Sequence, residues 1–120
     1  MTPPLQTPTA IRRELSRRAR DAFPPMGVYA VRDHTSGRVR VKSSRNVSGA
    51  IDRIRFELRL GSHPDKALQA AWHRAGAQGV SFDVIELLKQ RADPDFDYAG
   101  ELRMLEQLYR EELEIVKETA

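Results

Sequence analysis

No cysteine occurs anywhere in the 120-residue chain. Disulfides, thiol nucleophiles, iron–sulfur clusters and zinc knuckles are therefore excluded, and only oxygen and imidazole chemistry remains. Long apolar runs are missing too, since nothing approaches the roughly 18 consecutive apolar residues of a membrane-spanning helix. The opening Met1-Thr2-Pro3-Pro4-Leu5-Gln6-Thr7-Pro8 has no basic segment followed by an apolar one. It does not read as a secretory signal, and cytoplasmic residence without a membrane partner is expected. Phosphate-binding glycine loops, nucleophile elbows and paired-histidine helix motifs are also absent. The three histidines, His34, His63 and His73, show no metal-ligand spacing, and His63 fits a helix-start turn.

What is present is charge, unevenly spread. Residues 1–60 hold 13 Lys and Arg against 5 Asp and Glu, a balance of +8, and residues 61–120 hold 7 against 12, a balance of −5. A basic half of this kind suits a polyanion such as nucleic acid, but two oppositely charged halves also attract one another within a fold. The length allows one modest domain.

Residues 1–8 carry three prolines and no apolar periodicity, which predicts a disordered arm. Residues 9–25 read as a basic amphipathic helix with a Pro-Pro linker. Ile11, Leu15, Ala19, Ala22 and Phe23 recur at helical spacing beside five arginines, and Pro24-Pro25 stops the helix. Residues 26–120 form the domain. Val-rich segments at 27–32 and 38–43, joined by Asp33-His34-Thr35-Ser36-Gly37, predict a β-hairpin. From Asn46 the period becomes 3.6, with Val47, Ala50, Ile51, Ile54 and Leu58 on one face and Gly61 as the stop. A second helix starts at Ser62-His63-Pro64-Asp65 and ends at Gly76, a third strand fits 81–87, and Leu102, Leu105, Leu108, Tyr109, Leu113 and Val116 mark a final helix. The order β-β-α-α-β-α predicts an α+β fold, a three-stranded sheet with helices packed over it.

Gly27-Val28-Tyr29 on the first strand and Arg40-Val41-Lys42, followed by Ser43-Ser44, on the second resemble the two motifs of the GIY-YIG nuclease family. Asn46, Gly61-x-His63, Leu68-Gln69 and Trp72 fall at similar spacing, and the resemblance runs from about Met26 to Leu113. Gly61-Ser62-His63-Pro64-Asp65-Lys66 and Asp93-Pro94-Asp95-Phe96-Asp97-Tyr98 look most like a small bacterial subgroup described only as GIY-YIG nuclease-like. The resemblance implies the same fold. For members that cleave DNA it implies a nucleophile activated near tyrosine, an arginine steadying the phosphate and a glutamate holding one divalent metal ion.

Carried over residue by residue, the resemblance gives a rewritten site. Tyr29 matches the first-triplet tyrosine. The second-triplet tyrosine falls on Arg40, which stays protonated and cannot act as a base. The second-triplet glycine falls on Lys42, and the phosphate arginine falls on Ala50, with Arg53 one turn further on as a partial substitute. Glu106 matches the metal-binding glutamate, so Mg is implied only for a catalytically active protein. Arg40 and Glu106 facing one another across the old site would put a salt bridge where the metal ion sat. Asp93-x-Asp95-x-Asp97 opens like a calcium loop. Tyr98 and Met104 stand where that loop needs glycine and glutamate, so these aspartates are read as preceding a helix N-terminus.

Three functions follow as expectations. One is a nucleic-acid-binding or regulatory module on a nuclease-inactive GIY-YIG scaffold, contacting phosphates through Arg38, Lys42, Arg45 and Arg53 and through Arg12, Arg13 and Arg17 of the first helix. Another is a divergent Mg-dependent endonuclease using Tyr29, Glu106 and the substituted cations. The third is a protein-interaction module without nucleic acid.

Overall fold

The computed structural model describes residue 11 and residues 23–119, with side chains as far as Glu114. The arm at 1–8 and all of the basic helix except Ile11 and Phe23 lie outside the described residues. Three strands, β1 (Gly27–Asp33), β2 (Arg38–Ser44) and β3 (Val80–Leu87), form one sheet in the order β2-β1-β3. Both pairings are antiparallel. The helices are α1 (Val47–Leu60), α2 (Lys66–Ala75) and α3 (Tyr98–Thr119). The α+β architecture and the element order agree with the sequence expectation, with strand ends shifted by a residue.

Local chemistry explains the boundaries. Gly37 has φ 79° at the hairpin turn, a conformation that favours glycine. Asn46 caps α1 by accepting from the Gly49 N–H at 3.1 Å, and Gly61 ends it at φ 78°, with the Ser62 N–H donating to the Glu57 carbonyl at 2.9 Å. Asp65 caps α2 through the Leu68 N–H at 3.1 Å. Asp97 accepts from the Gly100 N–H at 2.9 Å, so the aspartate run does lead into the start of α3.

Strand alternation sends side chains to two different layers. Tyr29 and Val31 join Val47, Ile51, Ile54 and Leu58 of α1 and Leu68 and Ala71 of α2 in one core. Val28, Ala30, Val39 and Val41 face the other way, against Leu105, Tyr109 and Leu113 of α3. The sheet is thus sandwiched, with α1 and α2 on one side and α3 on the other. Each fully buried Val or Leu contributes about 1.5–3 kcal/mol, so this double burial accounts for the Val-rich strands. A register shift between Val28 and Tyr29 leaves Ile85 as the extra residue of β3.

The outer edge of β2 is closed by α3. Glu114 accepts from the Val41 N–H at 2.9 Å, and Arg110 donates to the Val41 carbonyl at 3.1 Å. An edge strand offers unpaired backbone groups to any passing chain, and here two side chains occupy them.

Candidate functional site

A cleft of about 560 Å3 opens on the α1 side of the sheet. Lys42 and Ser44 of β2, Tyr29 of β1, Ala50, Arg53 and Glu57 of α1, and His63 before α2 are among its lining residues. Strand register places Lys42 directly opposite Tyr29, which brings cation and phenol to the same face. Helical spacing puts Ala50, Arg53 and Glu57 along the flank of α1 that faces them.

Tyr29 is buried, with only an edge of it reaching the cleft. Burial, and after it the charge of Glu106, raises its pKa above the ordinary tyrosine value. The phenol therefore stays protonated at neutral pH and offers an O–H donor, not a phenolate. His63 is buried as well, and its Nδ1 accepts from the Asp65 N–H at 3.1 Å. In the neutral ring that bond places the proton on Nε2. The His63 N–H donates to Gln69 Oε1 at 3.0 Å, and Gln69 Nε2 in turn donates to the Leu58 carbonyl at 2.9 Å. The histidine holds the turn between α1 and α2 together while also walling the cleft.

Arg40 does not meet Glu106, contrary to the sequence expectation. It sits opposite Val31, on the face covered by α1 and α2, and its guanidinium makes a two-pronged ion pair with Asp65. Burial pushes the Asp65 carboxyl upward. The Leu68 N–H and the charge and hydrogen bond of Arg40 outweigh that push and hold it below the usual carboxylate range. Glu106 lies under the opposite face, where Ser43 Oγ donates to its Oε2 at 2.9 Å and Arg110 Nη2 to its Oε1 at 2.7 Å. Two ion pairs within the fold replace the single one expected across the site, because the sheet separates Arg40 from Glu106 and each has a nearer partner on its own side.

The remaining sequence candidates separate by position. Lys42 and Arg53 line the cleft, and Arg45 stands exposed between the lining residues Ser44 and Asn46. Arg38 lies at the far end of β2, about 13 Å along the strand from Lys42. Arg12, Arg13 and Arg17 are outside the described residues. The sequence marks Asp65 only as part of a helix start, and it singles out neither Glu57 nor Phe56. Asp65 acts 25 positions from its partner, and no local pattern announces that contact.

A divalent metal fits these donors poorly. Among the described residues, no three His, Asp or Glu side chains gather in a way that could hold a metal ion. Glu106 offers one carboxylate with both oxygens already engaged, whereas Mg2+ takes several oxygen ligands in near-octahedral geometry.

Sheet order and helix placement give this chain a fold that it shares with solved nuclease catalytic domains. The solved structures it is similar to include the catalytic domain of homing endonuclease I-TevI, at 20% sequence identity and TM-score 0.55, covering 73% of this chain and 87% of that one. An alanine variant of the catalytic domain of the same intron endonuclease aligns at 17% identity and TM-score 0.57, covering 73% of this chain and 82% of that one. I-TevI is a GIY-YIG homing endonuclease, and the likeness at these identities is one of fold. No family model matches the chain, and a search of curated proteins finds no similar sequence.

Proposed function

We propose that this protein is a nucleic-acid-binding module on a GIY-YIG nuclease scaffold, holding phosphates in the α1-side cleft and lacking strong cleavage activity. The observation that carries the reading is how the cations divide. Arg32, Arg40, Arg55 and Arg110 are ion-paired, whereas Lys42 and Arg53 in the cleft and Arg45 at its rim have no ion-pair partner among the described residues. Charges left unpaired in a concave site lined by a protonated phenol suit a phosphate oxygen.

Hydrolysis lacks its usual parts. The position of the second tyrosine is a guanidinium sealed against Asp65, the phosphate arginine is Ala50, and Glu106 is held by Ser43 and Arg110. A phosphodiester transition state gathers negative charge and needs its nucleophile deprotonated, and none of the described residues is placed for that proton transfer.

Fluorescence anisotropy with labelled oligonucleotides at low salt tests the proposal. The wild type should bind, with affinity falling steeply as salt rises. Combined Lys42→Ala and Arg53→Ala should lower affinity about 10–100-fold and reduce the magnitude of the salt slope by about 2. Absence of binding, or binding indifferent to salt, would sink the reading. Magnesium-dependent cleavage that Glu106→Ala abolishes would instead establish the divergent endonuclease. Combined Arg12→Ala, Arg13→Ala and Arg17→Ala tests whether the N-terminal arginines extend the surface, with a further loss of affinity as the expected result.

A further inference from the structure

We infer that the outward face of α1 beside the cleft, centred on Phe56, is a stacking platform for an unpaired base, so that the preferred ligand is single-stranded nucleic acid. The inference rests on the phosphate-binding role proposed for the cleft and names the form of its ligand.

Gly49, Arg53, Phe56 and Leu60 follow one another at steps of four, three and four residues and so make a single stripe along α1. The core side of this helix is Val47, Ile51, Ile54 and Leu58, all buried. The stripe lies on the other side, with Phe56 58% and Leu60 64% exposed. Among the described residues, the packing leaves this phenyl ring uncovered. Its neighbours toward the N-terminus of the helix do point to a use. Gly49 and Arg53 both line the cleft, so the stripe begins inside the phosphate site and leaves it one turn later at Phe56. One turn is about 5 Å of helix, the scale on which a nucleotide's base stands off from its phosphate.

Charge selects among occupants. Phe56 and Leu60 are flanked by Asp52, Arg53, Glu57 and Arg59, which makes the patch too small and too charged for an apolar protein surface. An unpaired nucleotide brings a phosphate for Lys42 and Arg53 together with a flat apolar face for the ring, and both groups on the protein are then used. A duplex keeps its base faces stacked inside and offers Phe56 nothing. Glu57, the one carboxylate among the described residues lining the cleft, repels phosphate from the stretch of α1 next to Phe56. The backbone is thereby confined to the Lys42 end, and the base is left to lie along the helix.

The test uses the full chain, with anisotropy titrations of oligo-dT, oligo-rU and a duplex of equal length at one salt concentration. Both single strands should bind about tenfold or more tighter than the duplex. Phe56→Ala should weaken single-strand binding about tenfold and leave duplex binding unchanged, Phe56→Trp should restore it, and Phe56→Leu should not. A Phe56→Ala protein that binds single strands like the wild type, or loses single strand and duplex alike, overturns the stacking role. The phosphate reading would survive that result if the Lys42 and Arg53 substitutions still weakened binding. Equal affinity for both forms, with Phe56-dependent self-association in sedimentation, would make the stripe a protein contact and also overturn it. If no nucleic acid binds at all, this inference and the proposed function fall together.

Discussion

Arg40 and Lys42 stand two residues apart on the same face of the same strand, yet their surroundings oppose each other. At Arg40 the gap between β2 and α2 is shut. The Arg40 side chain is 17% exposed, its guanidinium grips the residue that caps α2, and its Nη1 is buried without a partner among the described residues. At Lys42 the gap between β2 and α1 stands open, and among the described residues the ammonium has no ion-pair partner. Similar chemistry thus serves stability in one place and remains available to a ligand in the other. The difference arises in where α2 begins, since Asp65 at its N-cap comes within reach of Arg40 and not of Lys42.

Removing the shut contact should have the largest effect. Asp65→Ala deletes the α2 cap and the ion-pair partner that Arg40 has among the described residues, and should lower stability by about 2–4 kcal/mol in urea unfolding. Lys42→Ala should change stability by less than about 0.5 kcal/mol. Equal losses would erase the distinction between the two positions. Acid should weaken the same contact from another direction. Asp65 titrates below its unfolded value, so its contribution is complete well above about pH 4 and disappears as pH falls through the folded pKa. The stability advantage of wild type over Asp65→Asn should therefore shrink below about pH 4, and an advantage that grew in acid would contradict the assignment.

Smaller effects should follow elsewhere. Glu114→Ala frees the Val41 N–H at the edge of β2 and should cost about 1 kcal/mol, with the loss read from urea unfolding and any association read from light scattering. Glu57→Gln removes the carboxylate from the open cleft and should tighten oligonucleotide binding about two- to threefold at low salt. The gain should fade as salt rises. Tightening that persisted at high salt would mean that Glu57 acts by shape and not by charge.

Most of the fold was readable along the chain because its signals are local. The αL glycine after Leu60, the aspartate before α2 and the Val-rich hairpin each act within a few residues of the element they define. The site was readable only in part. The two strand motifs brought Tyr29 and Lys42 to the cleft, whereas Glu106, matched by its place in the last helix, lies under the opposite face, and a motif says nothing about which layer a helix covers. The expected Arg40–Glu106 bridge failed on that point, since α3 packs beneath the sheet and α2 above it. The true partner of Glu106 was visible as Arg110, four residues on along a helix. Phe56 was equally visible as an apolar residue off the core face of α1. Its meaning appeared only when Arg53 was placed in the cleft beside it.

Gly27 and Lys42 show how the two motif glycines differ in mutability. A Cβ on Gly27 would stand 2.0 Å from the Glu86 carbonyl oxygen, backbone against backbone, so nothing flexible can move aside. At Lys42 a long side chain fits, half-buried, in an ordinary strand. The first glycine is a condition of closing the sheet at all. The second is free of that steric demand. A charge can therefore stand at that position without disturbing the architecture.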